Sequence, residues 1–150
     1  MGTPCPAREG TIGGMRFTGV LPPDLATGRY WPQIAALVAR ALPYGRGEYA
    51  LDDIRDGIER RQMFAIGAVE DDIVTFVATC TLARYPRKTV LYVQYGAGAN
   101  GAALKHTLID AAKTLGADWI ETRCRASVAR LYRKVGFDVG YCVPILEILP

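Results

Sequence analysis

The stretch that decides the fold reads Thr89-Val-Leu-Tyr-Val-Gln-Tyr-Gly-Ala-Gly-Ala-Asn-Gly101. Its first seven residues are mostly β-branched or aromatic, which predicts a buried strand over residues 89–95. Three glycines then bracket small residues, so the backbone there can adopt positive φ and approach a ligand closely. A loop of backbone N–H groups that opens a helix is a natural seat for phosphate. The helix itself is predicted from apolar residues at helical spacing, namely Leu104, Leu108, Ala111, Ala112 and Leu115.

This glycine-rich loop matches one nucleotide-binding pattern and fails another. A Walker loop requires Lys and Ser or Thr after its last glycine, and here two alanines follow Gly101. Residues 96–101 do match the dinucleotide pattern G-x-G-x-x-G, with Asp118 or Glu121 as the acid further along. That pattern needs a strand that opens a βαβ unit, whereas this strand is expected to end an antiparallel meander. Phosphate contact and a plain turn therefore both stay open on pattern alone.

The second half of the region continues the alternation of strand and helix. Residues 117–124 predict a strand, and residues 127–135 predict a short helix with Ser127 as its N-cap. Gly136 is the expected helix stop, and Phe137 then begins the last predicted strand.

This ending reads Val128-Ala-Arg-Leu131-Tyr132-Arg-Lys134-Val-Gly136-Phe137, and it resembles the GNAT superfamily of acyl-CoA-dependent N-acyltransferases. The resemblance runs from about residue 51 to the C-terminus, and the order of elements extends it to about residue 31. It implies an N-acetyltransferase that moves an acetyl group from acetyl-CoA, its co-substrate, to a primary amine. The loosened glycine loop is also similar to GNAT-like proteins of phages and prophages.

The resemblance implies a binding role for the glycine-rich region. The late backbone N–H groups of the strand would polarise the thioester carbonyl where the strand separates from its neighbour, and the pantetheine arm would pair with that edge. The residues implied in binding acetyl-CoA are Val93, Gln94, Tyr95, Gly96, Ala97, Gly98, Ala99, Asn100, Gly101, Ala102 and Arg125.

Candidate residues for proton transfer can be named, and each of them also has another interpretation. Tyr132 matches the position of a general acid beside the CoA sulfur, although it also shares a helical face with apolar neighbours and would then be a core residue. Glu121 is the catalytic carboxylate proposed as a base, with Glu70 as a second candidate, and Glu121 also fits an outward-facing strand residue. His106 is predicted to be exposed on its helix.

The glycine loop departs from the superfamily pattern Arg/Gln-x-x-Gly-x-Gly/Ala. Gly96, Ala99 and Gly101 stand at the three defined positions, so the long polar residue and one glycine are missing, although Gln94 lies two residues upstream. Arg125 stands where the superfamily commonly has Asn. The second hypothesis is therefore a non-catalytic GNAT-like binding or assembly protein with a degenerate CoA loop.

Composition narrows the classes of partner. The 150 residues carry a net charge of +3, too mild to indicate nucleic acid, although five basic residues and no acid lie between residues 122 and 137. That basic face fits CoA phosphates, an acidic partner or plain solvation, and nucleic acid is the least favoured partner. No apolar run is long enough for a bilayer and no signal peptide begins the chain, so we expect a cytoplasmic protein without membrane contact.

Cysteine and histidine usage argues against a metal site. Four cysteines show no C-x-x-C spacing, and the chain contains one histidine. Cys80, Cys124 and Cys142 fall in predicted strands, where we expect buried thiols.

The whole chain is interpreted as an irregular N-terminal arm over residues 1–30, with a short strand near residues 15–20, and a single GNAT-like domain over residues 31–150. Helices are predicted near residues 31–42 and 52–61, and a hairpin at Asp71-Asp72 joins strands over residues 63–70 and 73–84. The second of these is expected to be half-buried, with Val74, Phe76, Ala78, Cys80 and Leu82 on its inner face.

The resulting fold class is α/β (α+β mixed), a mostly antiparallel sheet flanked by helices. The resemblance implies an acceptor loop over residues 43–49, and residues 84–88 are a second expected acceptor loop. The acceptor, a small-molecule or protein amine, is not specified by the sequence, and a homo-oligomer or an assembly partner stays open.

Overall fold

The computed structural model of the chain describes residues 14–99, 101–140 and 143–150. Within these residues, five strands form one sheet in the order β1-β2-β3-β4-β5, in which β4 and β5 are parallel and the other neighbours antiparallel. The elements are β1 (Phe17–Val20), α1 (Pro23–Thr27), α2 (Trp31–Ala41), a 3-10 turn (Leu42–Tyr44), α3 (Leu51–Glu59), β2 (Phe64–Glu70), β3 (Ile73–Arg84), β4 (Thr89–Gly98), α4 (Gly101–Thr114), β5 (Trp119–Thr122) and α5 (Ala126–Lys134). The predicted class, a mixed and mostly antiparallel sheet flanked by helices, is confirmed.

The segment before α2 is more regular than the sequence indicated. Residues 23–27 form α1, a helix where an irregular arm was expected, because Pro23 suits the first turn of a helix. The Tyr30 side chain is buried, and its hydroxyl donates a 2.9 Å hydrogen bond to Asp72. The backbone N–H of Met15 donates to the same carboxylate at 3.1 Å. This segment is therefore fastened to the β2–β3 turn.

That turn is the predicted hairpin at Asp71 and Asp72, whose φ angles of 50° and 62° suit a tight connection. Beyond it, β3 contains a bulge: Val69 pairs with Val74 and Ala68 pairs with Phe76, so Thr75 is the extra residue.

The sequence predicts that β3 is half-buried and that Val74 shares its inner face with Cys80, and this prediction is wrong. The bulge moves Val74 to the face of Val77, opposite to Ala78 and Cys80. Both faces of the strand are buried, because helices cover the sheet on both sides.

We name the two sides of the sheet by these helices. On the α2 face, α2 lies over β3 and β4 with α1 and α3 beside it, and the core includes Ile34, Val38, Ile54, Ile58, Val77 and Tyr95. On the α4 face, the predicted stripe of α4 is confirmed, and the core includes Ile66, Cys80, Leu91, Val93, Leu108, Ala111 and Ala112. The two apolar layers hold β4 between them.

The C-terminal region departs from the predicted elements. The N-cap of α5 is Arg125, so Ser127 lies inside the helix and does not cap it. Gly136, with φ of +100°, follows the helix end as predicted. Residues 137–140 and 143–150 form no strand, so the strand expected from Phe137 is not found within these described residues.

Cys80 is buried as predicted, whereas Cys124 is exposed because β5 ends at Thr122. Cys5 and Cys142 lie outside the described residues. Within the described part of the chain, no group of three or more His, Cys, Asp or Glu side chains is arranged to hold a metal ion. None of the described helices has the length and apolar character needed to cross a membrane.

Candidate functional site

The candidate site lies where β4 and β5 separate. The parallel register runs from Val90 opposite Trp119 to Val93 opposite Thr122, and β5 then ends. β4 continues to Gly98, paired with β3 alone among the described strands. The other edge of β4 beyond Val93 is therefore a row of backbone groups without a strand partner, which can pair with an extended ligand.

A β-bulge in β4 falls at the same point. Thr79 pairs with Tyr95 and Cys80 pairs with Val93, so Gln94 is the extra residue. The bulge brings the Tyr95 side chain onto the α2 face, where strict alternation would have placed it beside Val93 on the α4 face. The Gln94 amide donates a 3.1 Å hydrogen bond to the Thr81 hydroxyl. Gln94 is thus hydrogen-bonded to β3 and does not extend toward residues 96–101, the glycine segment.

The predicted glycine loop is partly strand. β4 includes Gly96, Ala97 and Gly98, and Ala99 follows it directly. Gly98 has φ of +123°, and an added Cβ would collide with the Thr75 carbonyl oxygen and lie 2.5 Å from the Phe76 Cα. This glycine is required by the packing of β4 on β3.

Gly96 and Gly101 have a different environment from Gly98. A Cβ built on either of them meets no described atom within 4 Å. Gly101 is also the first residue of α4, and Ala102 lies exposed in its first turn. Asn100 lies outside the described residues. Open space therefore borders both the strand end and the helix start, as ligand binding by the backbone requires.

Tyr132 lies at the point of separation. Its side chain lies close to Thr122, whose hydroxyl donates a 3.2 Å hydrogen bond to the Val93 carbonyl oxygen. Burial raises the pKa of Tyr132 above its usual range and the Cys124 thiol adds to this, while the interaction with Thr122 partly offsets it. The ring packs edge-on against Phe137 with centroids 5.2 Å apart. The structure thus brings Tyr132 to the end of the β4–β5 register, and its acid role stays a prediction.

The carboxylates considered as bases differ in position. Glu121 is opposite Tyr92 in the register, exposed, and accepts a 3.3 Å hydrogen bond from the indole of Trp119. Glu70 ends β2 opposite Ile73, about 20 Å along β3 from the partner of Val93 by strand rise. Glu70 is thus far from the site, whereas Glu121 lies one residue before the last pair of the β4–β5 register. His106 is exposed on α4, as predicted.

The loop between α2 and α3 brings residues that sequence reasoning missed. Arg123, just after β5, forms a 2.9 Å ion pair with Glu48 of this loop. The Nε of the same guanidinium donates a short hydrogen bond to the Tyr92 hydroxyl, so Nε and Nη1 both have partners. The Arg125 guanidinium lies 3.9 Å from the ring centroid of Tyr44. The expected acceptor loop therefore does lie against the end of β5.

Tyr95 forms the floor beneath this loop. An added Cβ on Gly45 would collide with the Tyr95 hydroxyl, so the loop backbone lies directly on it. The Tyr49 ring meets the Tyr95 ring edge-on at 6.1 Å. The Tyr95 side chain is 5% exposed, and its hydroxyl has no hydrogen-bond partner among the described residues. Burial raises the pKa of Tyr95, and the charge of Glu48 raises it further.

Sequence reasoning could not pair these residues. Glu48 and Arg123 are far apart in the chain, and neither belongs to a recognisable motif. The available signal was compositional: a glycine-containing loop that carries Tyr44, Glu48 and Tyr49.

Comparison with known proteins identifies the fold. No protein-family model matches the sequence, and no curated protein sequence does. Among solved structures, the chain is similar to a ribosomal-protein-alanine N-acetyltransferase from Brucella melitensis biovar Abortus 2308, with a TM-score of 0.65, 14% identity, and coverage of 89% of this chain and 99% of that one.

Two further structures are aminoglycoside acetyltransferases from uncultured soil metagenomic samples. The first has a TM-score of 0.63 and 17% identity over 90% of this chain and 98% of its own. The second, solved in complex with sisomicin, has a TM-score of 0.65 and 8% identity over 90% of this chain and 97% of its own. Identities this low show a shared fold and no more. With its mixed sheet, in which the described strands β4 and β5 separate, the chain has the fold of the GNAT acetyltransferases.

Proposed function

We propose that this protein is an N-acetyltransferase that transfers an acetyl group from acetyl-CoA to a primary amine. The observation that supports this most strongly is the separation of β4 from β5 after Val93, with a bulge at Gln94. The open edge of β4, the glycine segment and the start of α4 follow one another along one continuous path.

The chain fits acetyl-CoA along this path. The edge of residues 93–98 offers backbone groups to the pantetheine amides, and the open space at Gly96 and Gly101 admits the pyrophosphate to the first turn of α4. Ala97, Ala99 and Ala102 keep the path free of large side chains, and Asn100 and Arg125 complete the proposed set. When bound, acetyl-CoA supplies a thioester that an amine can attack.

The roles of this chain's own residues follow from position. A backbone N–H of β4 near the bulge would stabilise negative charge on the carbonyl oxygen. Tyr132 would give its proton to the leaving sulfur, since its raised pKa keeps the phenol protonated at neutral pH. Glu121, exposed beside Tyr92, is our proposed acceptor of the amine proton, directly or through water.

The acceptor would approach from the α2 face, beside the loop after α2. The similar structures are described as acting on a ribosomal-protein alanine or as aminoglycoside acetyltransferases, one of them bound to sisomicin. A protein amine and a small-molecule amine are therefore both in keeping with this fold, and either is an acceptor class for testing.

A second candidate is a non-catalytic, phage-associated GNAT-like binding or assembly protein. Two observations favour it. Gln94 is bound to Thr81 and does not replace the missing polar residue of the loop. Apolar side chains near the C-terminus are also exposed, with Leu146 86%, Ile148 84% and Leu149 78% accessible, as a surface that binds a partner would be.

Release of free CoA thiol from acetyl-CoA, measured with a panel of small amines and a Lys-containing peptide, separates the two. The enzyme proposal predicts amine-dependent release that needs intact Tyr132. Saturable acetyl-CoA binding without release by any amine would favour the non-catalytic alternative.

A further inference from the structure

Building on the proposed acetyl transfer, we propose that Arg123 occupies the seat of the acceptor's cationic amine on Glu48. The acceptor would bind as an ammonium ion, displace the Arg123 guanidinium and take its place against the carboxylate. Glu48 would then be the residue that selects the acceptor, and Arg123 its internal competitor.

The geometry of the Arg123 side chain defines the seat. Its Nη1 lies 2.9 Å from a Glu48 carboxylate oxygen, its Nε donates to the Tyr92 hydroxyl, and its Cζ lies 5.7 Å from the Tyr92 ring centroid. A carboxylate combined with the face of an aromatic ring is a general way to hold an organic cation. The seat therefore already contains a group with the charge and hydrogen-bonding character that we assign to the acceptor.

The location of the seat connects it with the reaction. Arg123 directly follows the end of β5, and Tyr92 precedes Val93, the last residue of β4 paired to β5. A cation held by Glu48 and Tyr92 thus lies on the α2 face next to the point of strand separation. The Glu48–Arg123 pair is half-exposed, at 42% and 44% of the side chains, so solvent and ligand can reach it.

A second, independent feature beside the seat also indicates a ligand. The Tyr95 hydroxyl is buried under the loop that carries Glu48 and has no described partner. Buried hydroxyl groups are nearly always hydrogen-bonded, so an unpartnered hydroxyl beneath this loop is a candidate contact for a bound molecule. Glu48 is near enough to raise the pKa of both Tyr92 and Tyr95, which places these three side chains in one electrostatic environment.

The charges around the seat predict which acceptors are rejected. Glu121 also raises the pKa of Tyr92, so the carboxylates of both Glu48 and Glu121 act on this region. An acceptor with a carboxylate next to its amine would meet these two negative groups. A primary amine on an uncharged aliphatic arm, flanked by the tyrosine rings, fits the seat better.

Binding of hexylammonium chloride to the full chain, measured by calorimetry with and without CoA, tests the proposal. Glu48→Gln removes the charge at constant shape and should weaken this binding by about tenfold or more, as loss of a charge-assisted hydrogen bond does. Glu59→Gln is the matched control, since Glu59 is a half-exposed carboxylate paired with Arg55 at 3.7 Å on α3. Arg123→Gln should tighten binding, because the internal competitor is gone.

The outcomes separate this proposal from the proposed function. Selective loss in Glu48→Gln, together with normal CoA binding, supports both. Selective loss in Glu48→Gln without any CoA binding supports the amine seat and contradicts the acetyltransferase. Equal hexylammonium affinity in the wild type, Glu48→Gln and Glu59→Gln, or no hexylammonium binding at all, overturns the seat whatever CoA does.

Discussion

The Thr122 hydroxyl donates a 3.2 Å hydrogen bond to the Val93 carbonyl oxygen, and these two residues are also the last register pair of β4 and β5. The bond closes the parallel ladder at the position where the strands part. Because the Tyr132 side chain interacts with the same Thr122, its phenol lies at this junction. The site thus combines an open strand edge and the phenol of Tyr132 at one place.

Tyr132→Phe should lower kcat by about a hundredfold, since positioned acid catalysis contributes about 10² to 10⁴. The acetyl-CoA affinity should not change, because the ring and its edge contact with Phe137 are retained. Burial raises the pKa of the wild-type phenol, so wild-type activity should persist at alkaline pH up to or above the usual tyrosine pKa. Steady-state kinetics over pH 6 to about 10.5 check this.

The matched control is Tyr85→Phe, which removes the hydroxyl of a tyrosine that is 59% exposed. It should leave the kinetics unchanged. Wild-type turnover in Tyr132→Phe would make Tyr132 a packing residue.

Gly98→Ala should destabilise the fold by about 2–5 kcal/mol, because the new methyl group meets β3 backbone and φ is +123°. Gly96→Ala is the matched control two residues earlier in the same strand. Nothing described lies within 4 Å of its added Cβ, so its unfolding free energy should stay within about 0.5 kcal/mol of the wild type. Urea unfolding of both variants distinguishes them, and equal stabilities would refute the assigned close approach of β4 to β3.

Tyr95→Phe should leave the free energy of unfolding unchanged or raise it by about 1 kcal/mol. The hydroxyl that it removes is buried without a described partner, so no hydrogen bond is lost and an unsatisfied polar group disappears. The variant should unfold in urea at the wild-type midpoint or above it. A loss of more than about 1 kcal/mol would show that the hydroxyl has a strong partner in solution.

The buried Cys80 thiol should make stability fall at alkaline pH. Burial raises its pKa far above the ordinary thiol value. In the unfolded chain the thiol ionises near pH 8.5, so this contribution is complete below about that pH and is lost as pH rises toward the folded pKa. The loss should approach about 1.4 kcal/mol per pH unit.

Cys80→Ala isolates this effect. The variant will be less stable because of the lost side chain, but the difference between its unfolding free energy and that of the wild type should shrink from pH 8 to pH 10. A difference that is constant with pH would mean that Cys80 is not buried in the folded state.

Local patterns in the sequence predicted a large part of this fold. The hairpin at Asp71 and Asp72 and the buried stripe of α4 depend on near neighbours in the chain, so they could be found by spacing alone. The bulges at Thr75 and Gln94 could not, because one extra residue in a strand leaves the sequence alternation intact and becomes visible when the partner strand is known. This is why the sequence predicts the wrong face for Val74 and does not predict the position of Tyr95 beneath the loop between α2 and α3.

The candidate site could also be predicted only where its residues are close together in the sequence. Residues 93–102 could be singled out because glycine, small residues and a following helix are adjacent in sequence. Glu48 and Arg123 meet because the fold brings the loop between α2 and α3 against the end of β5, which is a property of the whole fold. The end of β5 at Thr122 likewise exposes Cys124, which a longer predicted strand had buried.

Calorimetric titration of acetyl-CoA into the wild type and Gly101→Val tests the central claim most directly. A Cβ at Gly101 meets nothing described within 4 Å, so valine should leave the protein folded while blocking the backbone at the start of α4. We predict saturable wild-type binding with a Kd on the order of 1–100 μM, and loss of that binding in the folded variant. Absence of wild-type binding at millimolar acetyl-CoA, or equal binding by folded Gly101→Val, would contradict the assignment of this path as the acetyl-CoA site.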